Sequence, residues 1–174
     1  MNIRKAVLED VNEIAKVHIN SLKTSHMGIL PQIFLENLTY EWSTPRFTEA
    51  LRNRPKSVSL LVAENEKRQI VGFIWGGPER KSDEIYKGEI YAIYILSEYH
   101  GVGIGRKLVK ALAKDLSSSN IFSMIVRVFA ENNPSRRFYE AVGGRKVREG
   151  TVIVKDEVYN DVVYGWTNIK ELLS

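Results

Sequence analysis

The sequence predicts one α/β domain (α+β in class), with a mixed, mostly antiparallel sheet flanked by helices. The 174 residues suit a single compact domain and contain no repeat, low-complexity tract or linker, so 1–174 should fold together. Apolar residues make up 44% and charged residues 26%, which is usual for a folded globular protein. The hydrophobic patterns follow the order β-α-α-β-β-β-α-β-α-β-β, which argues against a strictly alternating doubly wound sheet.

The first third of the chain is predicted to begin with a strand and continue with helices. Residues 2–7 alternate between polar and apolar side chains, as in a short strand. Glu9 and Asp10 place acidic groups before a helix whose apolar positions follow helical spacing over 11–22. Residues 24–56 are predicted as shorter helical pieces. Four residues are expected to break them: Gly28, Pro31, Pro45 and Pro55.

The middle of the chain is predicted to supply the centre of the sheet. Two β-rich runs, 58–64 and 69–75, flank a polar turn and indicate a hairpin, which Gly76-Gly77-Pro78 is expected to end. Residues Glu89–Leu96 are apolar on both faces, which is typical of a central strand. Residues 104–116 then resume the helical period.

The last part is predicted to add a buried strand, a short helix and a final hairpin. Residues 121–129 form an apolar run of strand length. Residues 135–142 fit a short helix, which Gly143 and Gly144 would end. Two further β-rich runs, 147–154 and 158–166, surround a polar turn.

Composition excludes several classes of protein. The absence of cysteine excludes disulfide scaffolds, cysteine–zinc sites and cysteine nucleophiles, and no cluster has metal-ligand spacing, so no metal is expected. No stretch approaches the roughly 20 uncharged apolar residues that cross a bilayer. The opening residues 1–10 lack the apolar run of a secretory signal. We therefore expect a cytoplasmic protein without membrane attachment.

Positive charge is concentrated in residues 100–150. The chain has 25 basic and 21 acidic residues, a net charge of +4, whereas this segment alone has ten Lys or Arg and four Asp or Glu. Such a segment indicates either a local anion site or a solvated helix face. No helix-turn-helix or aromatic-basic signature accompanies the charge, so no nucleic-acid partner is expected.

Three glycines at alternate positions separate the predicted central strand from the next helix: Gly101, Gly103 and Gly105. Glycines let the backbone approach a ligand closely, and backbone N–H groups before a helix suit a diphosphate, although such glycines also form turns without ligands. Two familiar phosphate motifs do not fit. Lys107 is followed by Leu108, which breaks the G-x-x-x-x-G-K-[ST] loop, and no glycine at 108 completes G-x-G-x-x-G.

Two segments resemble the GNAT family of acetyl-CoA-dependent N-acetyltransferases. His100-Gly101-Val102-Gly103-Ile104-Gly105 is similar to the family pattern Q/R-x-x-G-x-G/A, with histidine at the first position. Residues 132–144 are similar to N-x-x-A-x-x-x-Y-E-x-x-G-F, with Ser135 near the usual alanine and Gly144 where phenylalanine is common. The predicted element order agrees with the family fold over nearly the whole chain.

The resemblance implies acetyl-CoA as co-substrate, bound where strand 89–96 splays away from strand 121–129. The main chain of Ile93 and Ile95 would hold the pantetheine arm and the acetyl carbonyl. Asn132 would either reach the donor or cap the following helix. The diphosphate would be held by the main-chain amides of Gly101, Val102, Gly103, Ile104, Gly105 and Arg106.

The resemblance also implies direct transfer, with neither a covalent enzyme intermediate nor a metal. The acceptor must lose a proton, because an alkyl ammonium has a pKa of roughly 10.4. Glu89 matches the position of a general base, although it could be a strand-end carboxylate in solvent; His26 and His100 are fallback bases, and His18 is expected to be structural. Tyr139 matches the tyrosine that protonates the leaving thiolate, the alternative being a core residue.

The acceptor is expected to be a primary amine of a small molecule or peptide. Segment Thr24–Leu38 falls where family members build acceptor specificity. The alternative function is a non-catalytic acyl-CoA-binding regulatory module of the same fold, against which Glu89 and Tyr139 argue together. Six aromatic residues could line an acceptor pocket, or could be core or homodimer contacts: Tyr40, Trp42, Trp75, Tyr91, Tyr164 and Trp166.

Overall fold

Seven strands form one sheet in the order β1-β2-β3-β4-β5-β7-β6 in the computed structural model, which describes residues 1–174. Every neighbouring pair is antiparallel except β4 and β5, which confirms the predicted mixed, mostly antiparallel sheet. The strands are β1 Asn2–Lys5, β2 Ser59–Glu64, β3 Ile70–Pro78, β4 Gly88–Ile95, β5 Met124–Phe129, β6 Arg145–Val154 and β7 Glu157–Trp166. The helices are α1 Val11–Ser25, α2 Gln32–Glu36, α3 Tyr40–Asn53, α4 Ile104–Ser118 and α5 Asn133–Ala141.

Helices cover both faces of the sheet. Helices α4 and α5 pack on one face through the largest apolar cluster, which includes Leu108, Leu112 and Tyr139. Helices α1 and α3 pack on the other through a cluster that includes Ile14 and Phe47. We call these faces the α4 face and the α1 face. No helix combines the length and apolar character needed to cross a membrane.

The parallel pair β4–β5 is short and then opens. Residues Gly88–Ile90 pair with Met124–Val126, and β5 continues beyond this point along β7 alone. We call the gap between residues 91–95 of β4 and 127–129 of β5 the wedge. It leaves one edge of the central strand without a partner strand in the middle of the sheet.

A β-bulge in β4 lies where the wedge begins. Trp75 pairs with Ala92 and Gly76 with Ile90, so Tyr91 is the extra residue. The bulge shifts the alternation by one residue. Ile90 and Ile93 therefore pack toward the same α4 face, although they are three positions apart.

Two predicted breaks do not occur. Pro45 lies inside α3, which runs unbroken from Tyr40 to Asn53. The proline ring is exposed, and the Glu41 carbonyl that it leaves without an N–H donor is on a residue exposed to water. Residues Gly76–Pro78 do not end β3 but pair with Gly88–Ile90. Pro78 is tolerated because β2 pairs with β3 only as far as Gly76, so the missing N–H leaves no ladder bond unmade.

Candidate active site

The main chain of Ile93 and Ile95, predicted to hold the pantetheine arm and the acetyl carbonyl, faces the wedge. Leu96 donates its N–H to the Val71 carbonyl of β3 at 2.9 Å. Hydrogen bonds alternate along an antiparallel strand, so Tyr94 also faces β3, while the N–H and C=O groups of Ile93 and Ile95 point toward the wedge. An extended chain bound in the wedge would meet these groups.

The glycine turn, residues 100–106, presents a run of free amides at the end of the wedge. Gly101 and Gly103 adopt φ values of +77° and +83°, which side chains disfavour, and an added Cβ would meet open space at both. None of the six N–H groups from residue 101 to 106 donates to a backbone acceptor, and the first amide to do so is Lys107, to the Gly103 carbonyl. These amides and the positive end of the 15-residue helix α4 together suit an anion.

Gly105 and Arg106 join α4 to α5. A Cβ on Gly105 would stand 2.7 Å from the Phe138 ring, so the close approach of the two helices depends on this glycine. The Arg106 side chain donates to the Ala141 carbonyl near the end of α5 at 2.8 Å. The glycine turn is therefore in direct contact with the helix that contributes Tyr139.

His100 occupies the position where the family pattern has glutamine or arginine. Its Nε2 lies 2.8 Å from the Ile95 carbonyl oxygen, which can only accept, so this nitrogen carries the proton. The exposed imidazole thus ties the start of the glycine turn to the end of β4.

Tyr139 lies on α5 and is buried, with 6% of its surface exposed. Its ring packs against Phe138, Tyr164 and Trp166. Burial raises the pKa of its phenol, and the neighbouring Tyr94 phenol adds to the rise. The hydroxyl makes no hydrogen bond within the chain and is not sealed from solvent. It is therefore a neutral donor that is free to bind a ligand.

Asn132 caps α5. Its side-chain oxygen accepts a hydrogen bond from the Ser135 N–H at 3.2 Å, and the residue is buried. Of the two roles predicted for Asn132, this geometry is that of the helix cap. A contact with the donor stays a prediction, for which the amide nitrogen is available.

Glu89 is fully buried, with 1% exposure, and is held by arginines. Arg80 donates to it through its main-chain N–H at 3.2 Å, its Nε at 3.2 Å and its terminal nitrogen at 2.8 Å. The Nε of Arg127 lies 3.7 Å from the same carboxylate, while its terminal nitrogen donates to Glu79 at 3.0 Å. Side chains of alternating charge thus follow one another, and we call them the charge row: Glu79, Arg127, Glu89 and Arg80.

Aromatic and histidine side chains line the α1 face beside the wedge. Tyr94 contacts both His18 and His26, and His26 also packs edge-on against Phe129. Burial lowers the pKa of His18 to about 4 and also lowers that of His26. Nδ1 of His18 lies 2.8 Å from the Ser43 hydroxyl, which agrees with the structural role predicted for it.

The six predicted aromatic residues separate into two groups. Tyr164 and Trp166 are core residues of the α4 face, where their polar atoms bond Glu140 and the Val142 carbonyl. The other four lie on or near the α1 face: Trp42 stacks on His18, Trp75 meets Tyr91 edge-on, Arg80 covers Tyr91, and Tyr40 bonds Asn20.

Sequence reasoning missed three charged residues of the α1 face: Arg80, Arg127 and Asp161. Arg127 and Asp161 each interrupt an apolar strand pattern, and this irregularity was visible in the sequence. Arg80 belongs to a charged loop and reaches Glu89 across a turn of the chain, so no sequence pattern marked it.

Comparison with known proteins indicates the family. The sequence model described as the Acetyltransferase (GNAT) family matches residues 28–143. The uncharacterised N-acetyltransferase YuaI of Bacillus subtilis (strain 168) is 36% identical over 172 residues, which cover 99% of this chain and 96% of that relative.

Solved structures share the fold. PaiA N-acetyltransferase from Thermoplasma acidophilum, in complex with coenzyme A, has a TM-score of 0.73 at 20% identity and is matched over 94% of this chain and 96% of that one. YncA from Salmonella typhimurium, with acetyl-CoA, has a TM-score of 0.72 at 18% identity over 95% and 92% of the two chains.

The family match spans the wedge, the glycine turn and Tyr139, and the relative from Bacillus subtilis extends the similarity to almost the whole chain. These findings confirm the predicted family and the predicted class of enzyme, an acyltransferase. The chain belongs to the GNAT family of acetyltransferases.

Proposed function

We propose that this enzyme transfers the acetyl group of acetyl-CoA to a primary amine of a small molecule or peptide by direct attack. The observation that carries the proposal is the continuity of the wedge with the glycine turn. Main-chain groups of Ile93 and Ile95 face an open edge of the sheet, and this edge leads to six free amides at the start of α4.

Each part of this path suits one part of the donor. The N–H and C=O of Ile93 and the N–H of Ile95 are in position to bond the amides of a pantetheine arm, as a neighbouring strand would, while the Ile95 carbonyl also accepts from His100. The amides of Gly101, Val102, Gly103, Ile104, Gly105 and Arg106 suit the diphosphate. The side-chain nitrogen of Asn132 is available for a further contact with the donor.

The proposed reaction requires a neutral amine nitrogen that attacks the thioester carbonyl. The wedge-facing N–H groups of β4 would stabilise the negative charge that develops on the carbonyl oxygen. Glu89 is the proposed general base, two residues before the bulge at which the wedge begins. Arg80 donates to both carboxylate oxygens, and the second lone pair of Oε1 is the site that would take the proton.

Tyr139 is the proposed general acid. Burial raises the pKa of its phenol, so the hydroxyl is protonated at neutral pH. It makes no hydrogen bond within the chain and can donate to the departing thiolate. The alternative function, a non-catalytic acyl-CoA-binding module, is favoured by one observation, the engagement of Glu89 by Arg80.

A thiol-release assay separates the two functions. Acetyl-CoA would be tested against polyamines, amino acids, aminoglycosides and peptide N-termini, and calorimetry would measure donor binding in parallel. Amine-dependent release of thiol supports the enzyme. Acetyl-CoA binding without transfer to any amine supports the module, and the absence of binding would contradict both.

A further inference from the structure

We propose that Asp161, with the rings of Phe129 and Tyr159, forms a subsite for a second positive charge on the acceptor. This inference rests on the proposed function, because it assigns the far end of the same acceptor. It predicts that the preferred substrates are diamines or basic peptides, not simple alkylamines.

Asp161 lies on β7, one strand beyond the wedge. It pairs with Phe129 of β5 on one side and with Gly150 of β6 on the other. Directly opposed residues share a face of a sheet, and Phe129 packs among side chains of α1 and α2. The Asp161 carboxylate therefore lies on the α1 face, where Glu89 also lies.

Asp161 is buried, with 7% exposure, yet it has no partner. Its side chain makes no hydrogen bond and forms no ion pair within the chain. The basic residues diagonal to it are committed elsewhere: Arg127 bonds Glu79 and lies beside Glu89, while Arg148 bonds Asp83 at 2.8 Å.

Asp161 is the carboxylate of this region that has no ion pair. Four carboxylates lie there, those of Glu79, Asp83, Glu89 and Asp161, against three guanidinium groups, those of Arg80, Arg127 and Arg148. The three arginines pair with the first three acids and leave Asp161 without a partner. A cation supplied by a ligand would give this carboxylate the ion pair that the chain itself does not provide.

The surroundings of Asp161 suit an organic cation. Neither carboxylate oxygen is sealed from solvent, so a ligand can reach them. Phe129 and Tyr159 pack edge-on at 5.6 Å beside the carboxylate and offer apolar and π surface to an alkylammonium group. Gly150 provides room, because a Cβ at that position would stand 2.8 Å from Oδ1 of Asp161.

The distance to the wedge sets the expected length of the acceptor. Strands lie about 5 Å apart, and Asp161 is one strand beyond the edge of the wedge. A reacting nitrogen in the wedge would thus be roughly 5 to 10 Å from the carboxylate, which a chain of about five carbons spans.

Three acceptors with the same reacting end test the subsite. Cadaverine, pentylamine and δ-aminovalerate carry a positive, neutral and negative distal end, respectively. We expect kcat/KM to be highest for cadaverine and lowest for δ-aminovalerate. Asp161→Asn should lower kcat/KM for cadaverine at least tenfold, because one charge pair is lost. The kcat/KM for pentylamine should stay within about threefold of the parent value.

A matched control and a second variant complete the test. Glu149→Gln removes an equal charge from an exposed position beside Gly150 and should leave kcat/KM unchanged for both cadaverine and pentylamine. Gly150→Ala should lower kcat/KM for cadaverine, because the added methyl group would displace the Asp161 carboxylate. Asp161→Asn should melt no lower than the parent, because the carboxylate makes no hydrogen bond or ion pair within the chain that the substitution would break. A marked loss of stability would show that Asp161 has a partner within the chain and would contradict the subsite.

The outcomes separate the subsite from the reaction. Equal use of cadaverine and pentylamine by the parent, or equal losses in Asp161→Asn, would overturn the subsite alone. If no amine is acetylated, the proposed function fails, and calorimetry of cadaverine with CoA-saturated protein still decides the subsite. Binding that weakens at least tenfold in Asp161→Asn supports it, and unchanged or absent binding overturns it.

Discussion

At the scale of single residues, Glu89 fits two roles, that of a general base and that of a partner in an ion pair. It is buried beside a wedge where a base is needed, and it is also one member of the charge row. The residue type was visible in the sequence as the only acid of the central strand. Its partners were not, because Arg80 and Arg127 approach from a loop and a neighbouring strand.

Paired substitutions distinguish these roles. Glu89→Gln should lower kcat by about 10²-fold or more, because the base is lost. Arg80→Gln leaves the carboxylate in place and removes both guanidinium contacts, while the main-chain N–H of residue 80 still donates to one oxygen, so kcat should stay within about threefold of the parent or rise. Steady-state kinetics over a range of pH measure both. Equal losses in the two variants would mean that Glu89 serves only to hold Arg80.

The Tyr139 hydroxyl is the second residue to test. Tyr139→Phe should lower kcat by about 10²-fold or more, with little change in acetyl-CoA affinity or melting temperature, because only a free hydroxyl is removed. Tyr164→Phe is the matched control. Its hydroxyl bonds Glu140 and Arg136, so this variant should lose stability and keep kcat. A Tyr139→Phe enzyme with the parent kcat would leave water as the proton donor.

At the scale of elements, the glycine turn is predicted to work through its backbone. Asparagine tolerates positive φ, so Gly103→Asn should add a side chain without strong backbone strain. This side chain should obstruct the amides and weaken the affinity for CoA at least tenfold. Gly28→Asn makes the same change at φ +80°, also in open space, and should leave CoA binding unchanged. Calorimetry with CoA compares the two. Equal affinities would contradict the proposed diphosphate site.

Elements were predictable where a local pattern decides them. The apolar run of β4 indicated a central strand, and β4 is fourth of the seven strands. Errors arose where tertiary contacts override a local rule: Pro45 is accommodated on the exposed side of α3, and Gly76–Pro78 extend β3 along β4. The bulge at Tyr91 has no sequence signal, since it depends on the register between two strands.

At the scale of the whole molecule, buried histidines make stability depend on pH. Burial lowers the pKa of His18 from 6.5 to about 4, so below pH 6.5 the unfolded chain takes up a proton that the folded chain does not. Stability should fall as the pH is lowered from 6.5 toward 4. His18 should account for about 2 kcal/mol of the loss between pH 7 and 5, and His26 acts in the same direction.

Denaturant unfolding at these two pH values measures the effect. His18→Gln should be less stable at pH 7 but lose about 2 kcal/mol less than the parent on acidification. Ser43→Ala removes the hydrogen-bond partner and keeps the imidazole, so it should lose stability equally at both pH values. If the free energy of unfolding depends on pH in the same way in the parent and in His18→Gln, the lowered pKa of His18 is contradicted.

The short pairing of β4 with β5 has a consequence for cooperativity. Strands β1–β4 and β5–β7 are two ladders, and three residue pairs join them. A donor in the wedge would contact both ladders and bind only while they are aligned, so its binding free energy is added to the free energy of separating them. At a hundred times its Kd, a ligand contributes about 2.7 kcal/mol in this way. Coenzyme would thereby couple two foldons, and amide hydrogen exchange across β5 would slow with its concentration.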